Sequence, residues 1–402
     1  MIKFSALLLL IITIGHIGSV AQQVPYFSED PIFLAGDNGY ACFRIPAIIK
    51  SPNGDILAFC EGRQHSCSDD GKIDIVMKRS TDNGQTWTPL EVVASNGNYL
   101  AGNPGPVLDT MDPDYPHGRI FLTYIKDNGY HEWRAIRKGK GVREVMVTTS
   151  SDNGFTWSAP TNITAQVHRP HEPAINPDYT FAEDWRWYAI TPGHCLQLTQ
   201  GKYAGRLVFP ANHSIEPHES TTSSMVFYTD DHGKTWRVGT DLKPTTNEAT
   251  AVELANGNLM INTRNWNPGN NEPLFRTVGI SNDGGQTWQE VYQDEELPES
   301  GCQAAILRYS TTAESDKSRI LFSNPATHRG RHTMTVRLSY DEGETWPISK
   351  LIRSGGAAYS DMVVQDDGKV GLLYELNGPR RGIYYARFNL EWLTDEKDYL
   401  PD

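Results

Sequence analysis

Short apolar runs recur along the chain, and turn residues separate them. Three runs directly follow a dipeptide that favours a tight hairpin. The pairs are Asn53-Gly54 before 55–60, Asn256-Gly257 before 258–263, and Asp367-Gly368 before 369–374. No stretch of useful length has the helical period of 3.6 residues. The pattern therefore predicts an all-β protein built from hairpins.

A second pattern, Ser/Thr-x-Asp-x-Gly-x-Thr-Trp, occurs five times. The copies begin at Ser80, Ser150, Thr229, Ser281 and Ser339. Asp and Ser/Thr side chains cap turn N–H groups, Gly supplies a positive φ, and Trp anchors the next strand. Repetition at this scale indicates a repeat architecture, so these boxes are interpreted as structural turns rather than catalytic sites.

The spacing of the boxes sets the size of the repeat. Neighbouring boxes begin 52 to 79 residues apart, which suits a four-stranded antiparallel blade with long connections. Division of the chain by a mean repeat of about 65 residues predicts a six-bladed β-propeller in which one blade lacks a box. Strands near 359–364, 369–374 and 383–388 begin the last blade. We expect a strand from the N-terminal segment to complete it.

The first 21 residues have the pattern of a secretory signal. Lys3 precedes an apolar run, and small residues end the segment at Ala21. The sequence thus predicts a signal peptide at 1–21 and a single propeller domain at 22–402. We expect an exported, periplasmic or secreted protein with no membrane span in the mature chain.

The hairpin turns place charged residues at equivalent positions in three blades. Glu61, Arg264 and Glu375 each follow the turn glycine by seven residues. Glu248 and Tyr359 precede that glycine by nine residues, and Arg44 precedes it by ten. Since one hairpin joins these strands, both sets lie at the end opposite the turn. The pattern predicts that they gather at one end of the propeller.

Composition narrows the possible partners. The formal net charge is −13, which argues against nucleic acid as a partner and makes a local cluster of arginines informative.

The odd count of five cysteines leaves at least one thiol unpaired. We interpret them as buried apolar residues rather than a disulfide framework, and expect the fold not to depend on disulfides. No Cys/His spacing resembles a zinc site.

The motif Phe43-Arg44-Ile45-Pro46, followed by several Asp boxes, resembles the sialidase (neuraminidase) family. The resemblance covers nearly the whole mature chain and is closest to lysosomal-type and gut bacterial members. It implies an arginine triad that holds the substrate carboxylate: Arg44, Arg264 and Arg331. Arg329 and Arg337 compete for the third place, and Arg331 is preferred. Guanidinium groups suit this task because they bind carboxylates with two parallel hydrogen bonds.

The resemblance also implies the catalytic groups. Tyr359 matches the nucleophile and Glu248 its partner base; a neutral phenol avoids repulsion by the substrate carboxylate. Asp69 matches the general acid/base at the lysosomal-type spacing, and Asp70 is the alternative.

Further residues match supporting positions of the family. Arg63 resembles the arginine near the sugar O4, Glu375 resembles the acid that orients the first arginine, and Glu61 is given a supporting role. Polar residues of segments that resemble site-lining loops are less specific. They are Asn103, Asn212, His194, Gln197 and Gln303.

The resemblance implies a retaining exo-α-sialidase that removes terminal sialic acid from glycoproteins, glycolipids and oligosaccharides. Three alternatives remain: transfer to an acceptor sugar, internal attack that gives an anhydro product, and an inactive sialic-acid-binding propeller. A neutral-glucan hydrolase with Asp boxes would lack the arginine triad. We expect sialylated glycans as partners, no metal or organic cofactor, no nucleic acid, and a monomer.

Overall fold

Antiparallel β-sheets form almost all of the regular structure. The computed structural model describes residues 24–127, 133–138, 140–170, 184–215, 218–265, 273–378 and 381–401. The predicted signal peptide at 1–21 lies outside the described residues. The prediction of an all-β protein is confirmed. Among the described residues, no helix is long and apolar enough to cross a lipid bilayer.

The first two sheets each contain four strands in sequential order. The first comprises β2 (Cys42–Lys50), β3 (Ile56–Arg63), β4 (Ile73–Ser80) and β5 (Glu91–Ala94). The second comprises β6 (Ala101–Asp109), β7 (Arg119–Asp127), β8 (Arg143–Ser150) and β9 (Thr161–Asn162). Each is a meander in which neighbouring strands are antiparallel.

The next two sheets follow the same plan. The third comprises β10 (Tyr188–Ile190), β11 (Leu196–Gln197), β12 (Leu207–Ile215), β13 (His218–Thr229) and β14 (Arg237–Val238). Here β10 and β11 both pair with β12. The fourth comprises β15 (Thr246–Glu253), β16 (Leu259–Asn265), β17 (Phe275–Ser281) and β18 (Glu290–Pro298).

The last sheet has seven strands, and one long strand belongs to both of its halves. It comprises β19 (Ala305–Ser310), β20 (Arg319–Pro325), β21 (His332–Ser339), β22 (Ile348–Val364), β23 (Val370–Leu376), β24 (Gly382–Phe388) and the N-terminal β1 (Phe27–Leu34). Residues up to Gly356 of β22 pair with β21, and those from Ala357 pair with β23. This sheet therefore reads as two four-stranded units that share β22.

The remaining regular elements are short. They are α1 (Trp133–Arg137), α2 (Thr164–Val167), α3 (Leu390–Leu393) and the 3₁₀ turns Asp37–Gly39 and Gly201–Tyr203. As predicted, the N-terminal strand closes the last unit, because Phe27 pairs with Phe388 and Leu34 pairs with Gly382.

The five boxes are hairpin turns with one hydrogen-bonding scheme. In the first, the Ser80 hydroxyl accepts from the Gly84 N–H at 2.7 Å, and Asp82 accepts from the N–H and the hydroxyl of Thr86 at 2.8 and 2.6 Å. The other four repeat these bonds. The side chains of the box aspartates thus make these hydrogen bonds within their own turns.

The glycine of each box lies against the sheet before it. A methyl group on Gly154 would meet Leu57 of the first sheet, and one on Gly233 would meet Phe121 of the second. In the first box the neighbour is the last sheet: a Cβ on Gly84 would lie 2.2 Å from Cε1 of Tyr385. The first and last sheets are therefore in contact at this turn.

Two of the cysteines form a disulfide, which corrects the interpretation from the sequence. Cys42 is bonded to Cys67, whereas Cys60, Cys195 and Cys302 are free and buried. Burial raises the pKa of Cys302 to about 11, so it remains a thiol and packs as an apolar residue. Nothing in the spacing of Cys42 and Cys67 indicated that the intervening loop brings them together.

The contact at Gly84 predicts a large effect of a single methyl group. Gly84→Ala would combine a positive φ of 78° with the collision against Tyr385, which together cost about 2–4 kcal/mol. Gly97→Ala has a similar φ of 63° but open space around it, and should cost only about 1–2 kcal/mol. Denaturant unfolding of both variants measures the difference. Equal losses would contradict tight packing at the junction of the first and last sheets.

Candidate active site

Most of the predicted site residues line one cavity at the end of the sheets opposite the box turns. Its lining includes Arg44, Arg63, Asp69, Glu248, Arg264, Arg331 and Tyr359, together with Glu61, Asn103 and Asn212. Its volume is about 270 Å³, close to the lower end of the usual range for small-molecule sites. Residues from all five sheets and their loops thus meet in one cleft.

Irregular strands carry these side chains into the cleft. The pairing register shifts between Arg44 and Ala47 in β2, between Thr246 and Ala249 in β15, and on either side of Tyr359 in β22. Such β-bulges release residues from the regular alternation and redirect their side chains. The bulges therefore explain how Arg44, Glu248 and Tyr359 leave the strand pattern and reach a common space.

Buried glutamates hold the bulge in β2 and a further one in β6, where the register shifts between Gly102 and Gly105. Ile45 has a φ of 61°, which is unfavourable for a β-branched residue, and its N–H donates to Glu375 at 2.8 Å. Asn103, with a φ of 54°, donates its N–H to Glu61 at 2.9 Å. Glu61 and Glu375 occupy equivalent strand positions, so each braces the bulge of the following sheet. Glu375 also accepts from Arg44 Nε at 3.2 Å.

Tyr359 lies at the centre of the polar groups. Its hydroxyl donates to Glu248 Oε1 at 2.6 Å, and the other oxygen of Glu248 accepts from Arg264 Nη1 at 2.7 Å. The guanidinium carbons of Arg44 and Arg331 each lie 5.2 Å from the centre of the Tyr359 ring. Three guanidinium groups therefore surround one phenol that is hydrogen-bonded to a carboxylate.

Electrostatics keep this phenol protonated. Burial, reinforced by the negative charge of Glu248, raises the pKa of Tyr359 well above its usual value. The three arginines oppose this shift but do not cancel it. The phenol thus needs a base to take its proton before it can attack, and Glu248 is the hydrogen-bonded acceptor.

Asp69 faces the cavity from the exposed loop after β3. Its Oδ1 accepts from Arg63 Nη1 at 2.7 Å and from Arg44 Nη1 at 3.2 Å, and its side chain is 59% exposed. Partial burial raises the pKa of Asp69, but Arg63 and Arg44 outweigh this and lower it overall. Asp70 instead accepts from the N–H of Trp133 at 2.9 Å and does not line the cavity.

Of the three arginines considered for the third place, Arg331 is the one that lines this cavity. It donates from Nη2 to the carbonyl of Gly301 at 2.8 Å, which fixes the guanidinium beside Tyr359. Arg337 lies within β21 and bonds to Asn324 at 3.3 Å. Arg329 is exposed in the loop before that strand.

Three further polar candidates lie elsewhere. His194 bonds through Nδ1 to Asp361 at 2.6 Å, and Gln197 donates to Asp109 at 2.6 Å. Gln303 pairs its amide with the backbone of Ser360, accepting from N at 2.9 Å and donating to O at 2.9 Å. Gln303 therefore supports the residue that follows Tyr359 without reaching the cavity.

The sequence reasoning missed an aromatic and cationic wall. Trp133, Arg137, Arg143 and Trp187 line the same cavity. The Arg143 guanidinium carbon lies 3.7 Å from the centre of the Trp187 ring, and Trp133 contacts that ring edge-on at 6.0 Å. The sequence offered one sign of this wall. The intervals before the second and third boxes are the longest, so they contain extra loop residues.

One group outside the cavity has the side chains of a metal site. The ligand atoms of Asp109, Asp112 and His232 lie within 4.8 Å of one another, the one such group in the part of the chain that the structure describes. However, Arg119 donates to Asp112 at 2.7 Å, and His232 bonds to Asp109 at 2.8 Å. These partners satisfy the carboxylates, and an arginine inside the group opposes a cation.

Comparisons with known proteins show which family the chain belongs to. The family model described as a BNR repeat-like domain matches residues 54–372. An exo-alpha-sialidase of Aspergillus fumigatus is 30% identical over 415 residues, covering 93% of both proteins. The chain belongs to the sialidase family. A sialidase of Micromonospora viridifaciens is 33% identical over 92% of the chain.

Among solved structures, the microbial sialidase Hz136 superposes with a TM-score of 0.74 at 26% identity, covering 91% of this sialidase-family chain and 69% of that one. The intramolecular trans-sialidase of Ruminococcus gnavus has a TM-score of 0.70 at 19% identity and shares the fold. The chain spans 55% of the Micromonospora sialidase and 61% of a Bacteroides fragilis sialidase, so those relatives are longer.

The arginine positions give a binding prediction for this member of the sialidases. Arg331→Ala should weaken binding of a dehydrated sialic acid analogue by about 2–4 kcal/mol, because the ligand carboxylate loses a buried charged partner. Arg337→Ala, whose side chain bonds to Asn324 in the sheet, should leave affinity nearly unchanged. Calorimetric titration measures both variants. The opposite ranking, with both variants folded, would transfer the third place to Arg337.

Proposed function

We propose that the protein is a retaining exo-α-sialidase that hydrolyses terminal sialic acid from glycoproteins, glycolipids and oligosaccharides. The observation that carries the proposal is the hydrogen-bonded series Tyr359, Glu248 and Arg264, set beside two further guanidinium groups. Membership of the sialidase family supports the same reaction class.

Arg44, Arg264 and Arg331 bind the carboxylate of the sugar. Arg44 is held by Glu375, Arg264 by Glu248 and Arg331 by the carbonyl of Gly301, so their guanidinium groups are oriented before substrate arrives. Oriented donors cost little reorganisation when the ligand binds. The small cavity volume favours a single terminal sugar over an internal segment of a glycan.

Tyr359 then attacks the anomeric carbon. The new bond joins its hydroxyl oxygen to C2 of the sugar, the C2–O bond to the aglycone breaks, and Glu248 Oε1 takes the phenolic proton over the existing 2.6 Å hydrogen bond. Asp69 donates a proton to the departing oxygen. Water next attacks C2 from the opposite side while Asp69 takes its proton, and Glu248 returns a proton to Tyr359. Two inversions leave the configuration retained.

The state of Asp69 changes when substrate binds. Arg63 and Arg44 hold its pKa low, which favours the carboxylate. A substrate carboxylate that engages Arg44 removes one of these positive partners and raises the pKa of Asp69 toward the value that an acid catalyst needs. Binding thus prepares the acid.

We also propose the architecture of the protein, its location and its oligomeric state. We infer a six-bladed propeller, since the seven-stranded sheet divides at β22 into two four-stranded units beside four other sheets. The signal pattern at 1–21 supports an exported protein with one catalytic domain at 22–402. Catalysis by Tyr359, Glu248 and Asp69 requires no metal or organic cofactor, and we propose that the protein acts as a monomer.

The nucleophile can be tested by trapping. A 3-fluorosialyl fluoride should label Tyr359, because fluorine slows departure of the sugar by destabilising positive charge in the transition state, and mass spectrometry of the digest locates the label. Tyr359→Phe should carry no label there and lose most activity, whereas Glu248→Gln should label slowly. Label on Glu248 or Asp69, or first release of the β-anomer, would refute this mechanism.

The two neighbouring aspartates should separate by leaving group. Asp69→Asn should lower turnover of sialyllactose by about 10²–10⁴-fold but spare in part an aryl sialoside, whose leaving group needs little protonation. Asp70→Asn is the control: it keeps the cavity groups and should affect both substrates alike and mildly. Steady-state kinetics on the two substrates decide, and the reverse pattern would make Asp70 the acid.

A further inference from the structure

The disulfide lies next to the catalytic groups. Cys42 begins β2 two residues before Arg44, and Cys67 lies in the loop 64–72, two residues before Asp69. The loop is anchored at its base, where Arg63 pairs with Cys42 on one side and with Ile73 on the other. The bond therefore connects the strand of the first triad arginine to the loop that carries the acid.

Few other contacts hold the middle of this loop. Arg63 Nη1 donates to the carbonyl oxygens of Cys67 and Ser68 at 2.7 and 3.0 Å, as well as to Asp69. Asp70 is held by the N–H of Trp133. Residues 65, 66, 68 and 69 are exposed, so no apolar packing fixes them. Arg44 Nη1 also donates to Asp69 at 3.2 Å, and Arg381 Nη1 donates to Cys67 Sγ at 2.8 Å. The bond at Cys67 adds a covalent restraint to these polar contacts.

We propose that the Cys42–Cys67 disulfide positions the general acid, so that its reduction impairs protonation of the leaving group while carboxylate binding and the nucleophile remain. This rests on the proposed function. A covalent link removes conformations that a loop of this length would otherwise sample. Arg264, Arg331, Tyr359 and Glu248 are held by strands and by buried partners that do not depend on the bond. Arg44 also contacts Asp69, but its bond to the buried Glu375 is independent of the disulfide.

The bond is open to reductants from one side. Cys42 is fully buried, but Cys67 is half-buried and lines a second cavity with Arg44, Glu375 and Arg381. Reduction by a dithiol would convert the disulfide to two cysteine thiols and the dithiol to its own disulfide, with two electrons passing to the protein. The contacts of Arg63 with Cys67 and Ser68 would remain, so we expect a partial loss of acid catalysis.

The experiment compares two substrates before and after reduction of the whole mature protein. Treatment with dithiothreitol should lower kcat for sialyllactose by about 10- to 100-fold, part of the usual contribution of a general acid, and change kcat for an aryl sialoside by no more than about threefold. Thiol labelling with mass spectrometry verifies that Cys42 and Cys67 are reduced. KM for both substrates should change little, since the carboxylate site is intact.

A matched variant separates this effect from general damage. The double variant Cys42→Ser, Cys67→Ser should show the same substrate selectivity as the reduced protein and no further response to dithiothreitol. Equal losses on both substrates, no loss after verified reduction, or unfolding of the reduced protein at the assay temperature would each overturn the positioning role. Failure of the oxidised protein to cleave either substrate would instead refute the proposed function, and this inference with it.

Discussion

Placing three guanidinium groups around one phenol in a half-enclosed cleft costs free energy unless each charge has a partner. The protein supplies these partners at fixed places: Glu375 for Arg44, Glu248 for Arg264, and the carbonyl of Gly301 for Arg331. All three arginines line the same cavity. The cleft is therefore electrostatically arranged before any ligand binds, and much of the surrounding structure serves to hold that arrangement.

Two buried glutamates also connect the site to the fold. Glu61 and Glu375 each accept a backbone N–H from a bulge in the next sheet, at Asn103 and Ile45. The bulge directs side chains toward the cleft. The carboxylate offsets the cost of the unfavourable backbone conformation by accepting a hydrogen bond from its N–H. Loss of either glutamate would disturb two sheets together, because each spans a junction between sheets.

The sequence was sufficient to predict the strands, the five box turns and the gathering of Arg44, Glu248 and Tyr359 at one end, because period and turn chemistry are local properties. It was insufficient where tertiary packing decides. The bulge at Ile45 needs Glu375, more than 300 residues away along the chain. Gln303 resembled a lining residue but bonds to the backbone of Ser360, the residue after Tyr359. The disulfide between Cys42 and Cys67 depends on the path of a loop that no periodic pattern describes.

The pairing of β1 with β24 also governs the order in which the molecule can be completed during synthesis. Phe27 leaves the ribosome before its partner Phe388, which lies more than 300 residues further along the chain. The carbonyl of Val24 and the N–H of Tyr26 both bond to Asn389, so the junction is fastened by side-chain contacts as well. The inner sheets can form as they emerge, whereas β1 stays unpaired until β24 has been made. During that interval the edge of β1 is exposed, and chaperones can bind it.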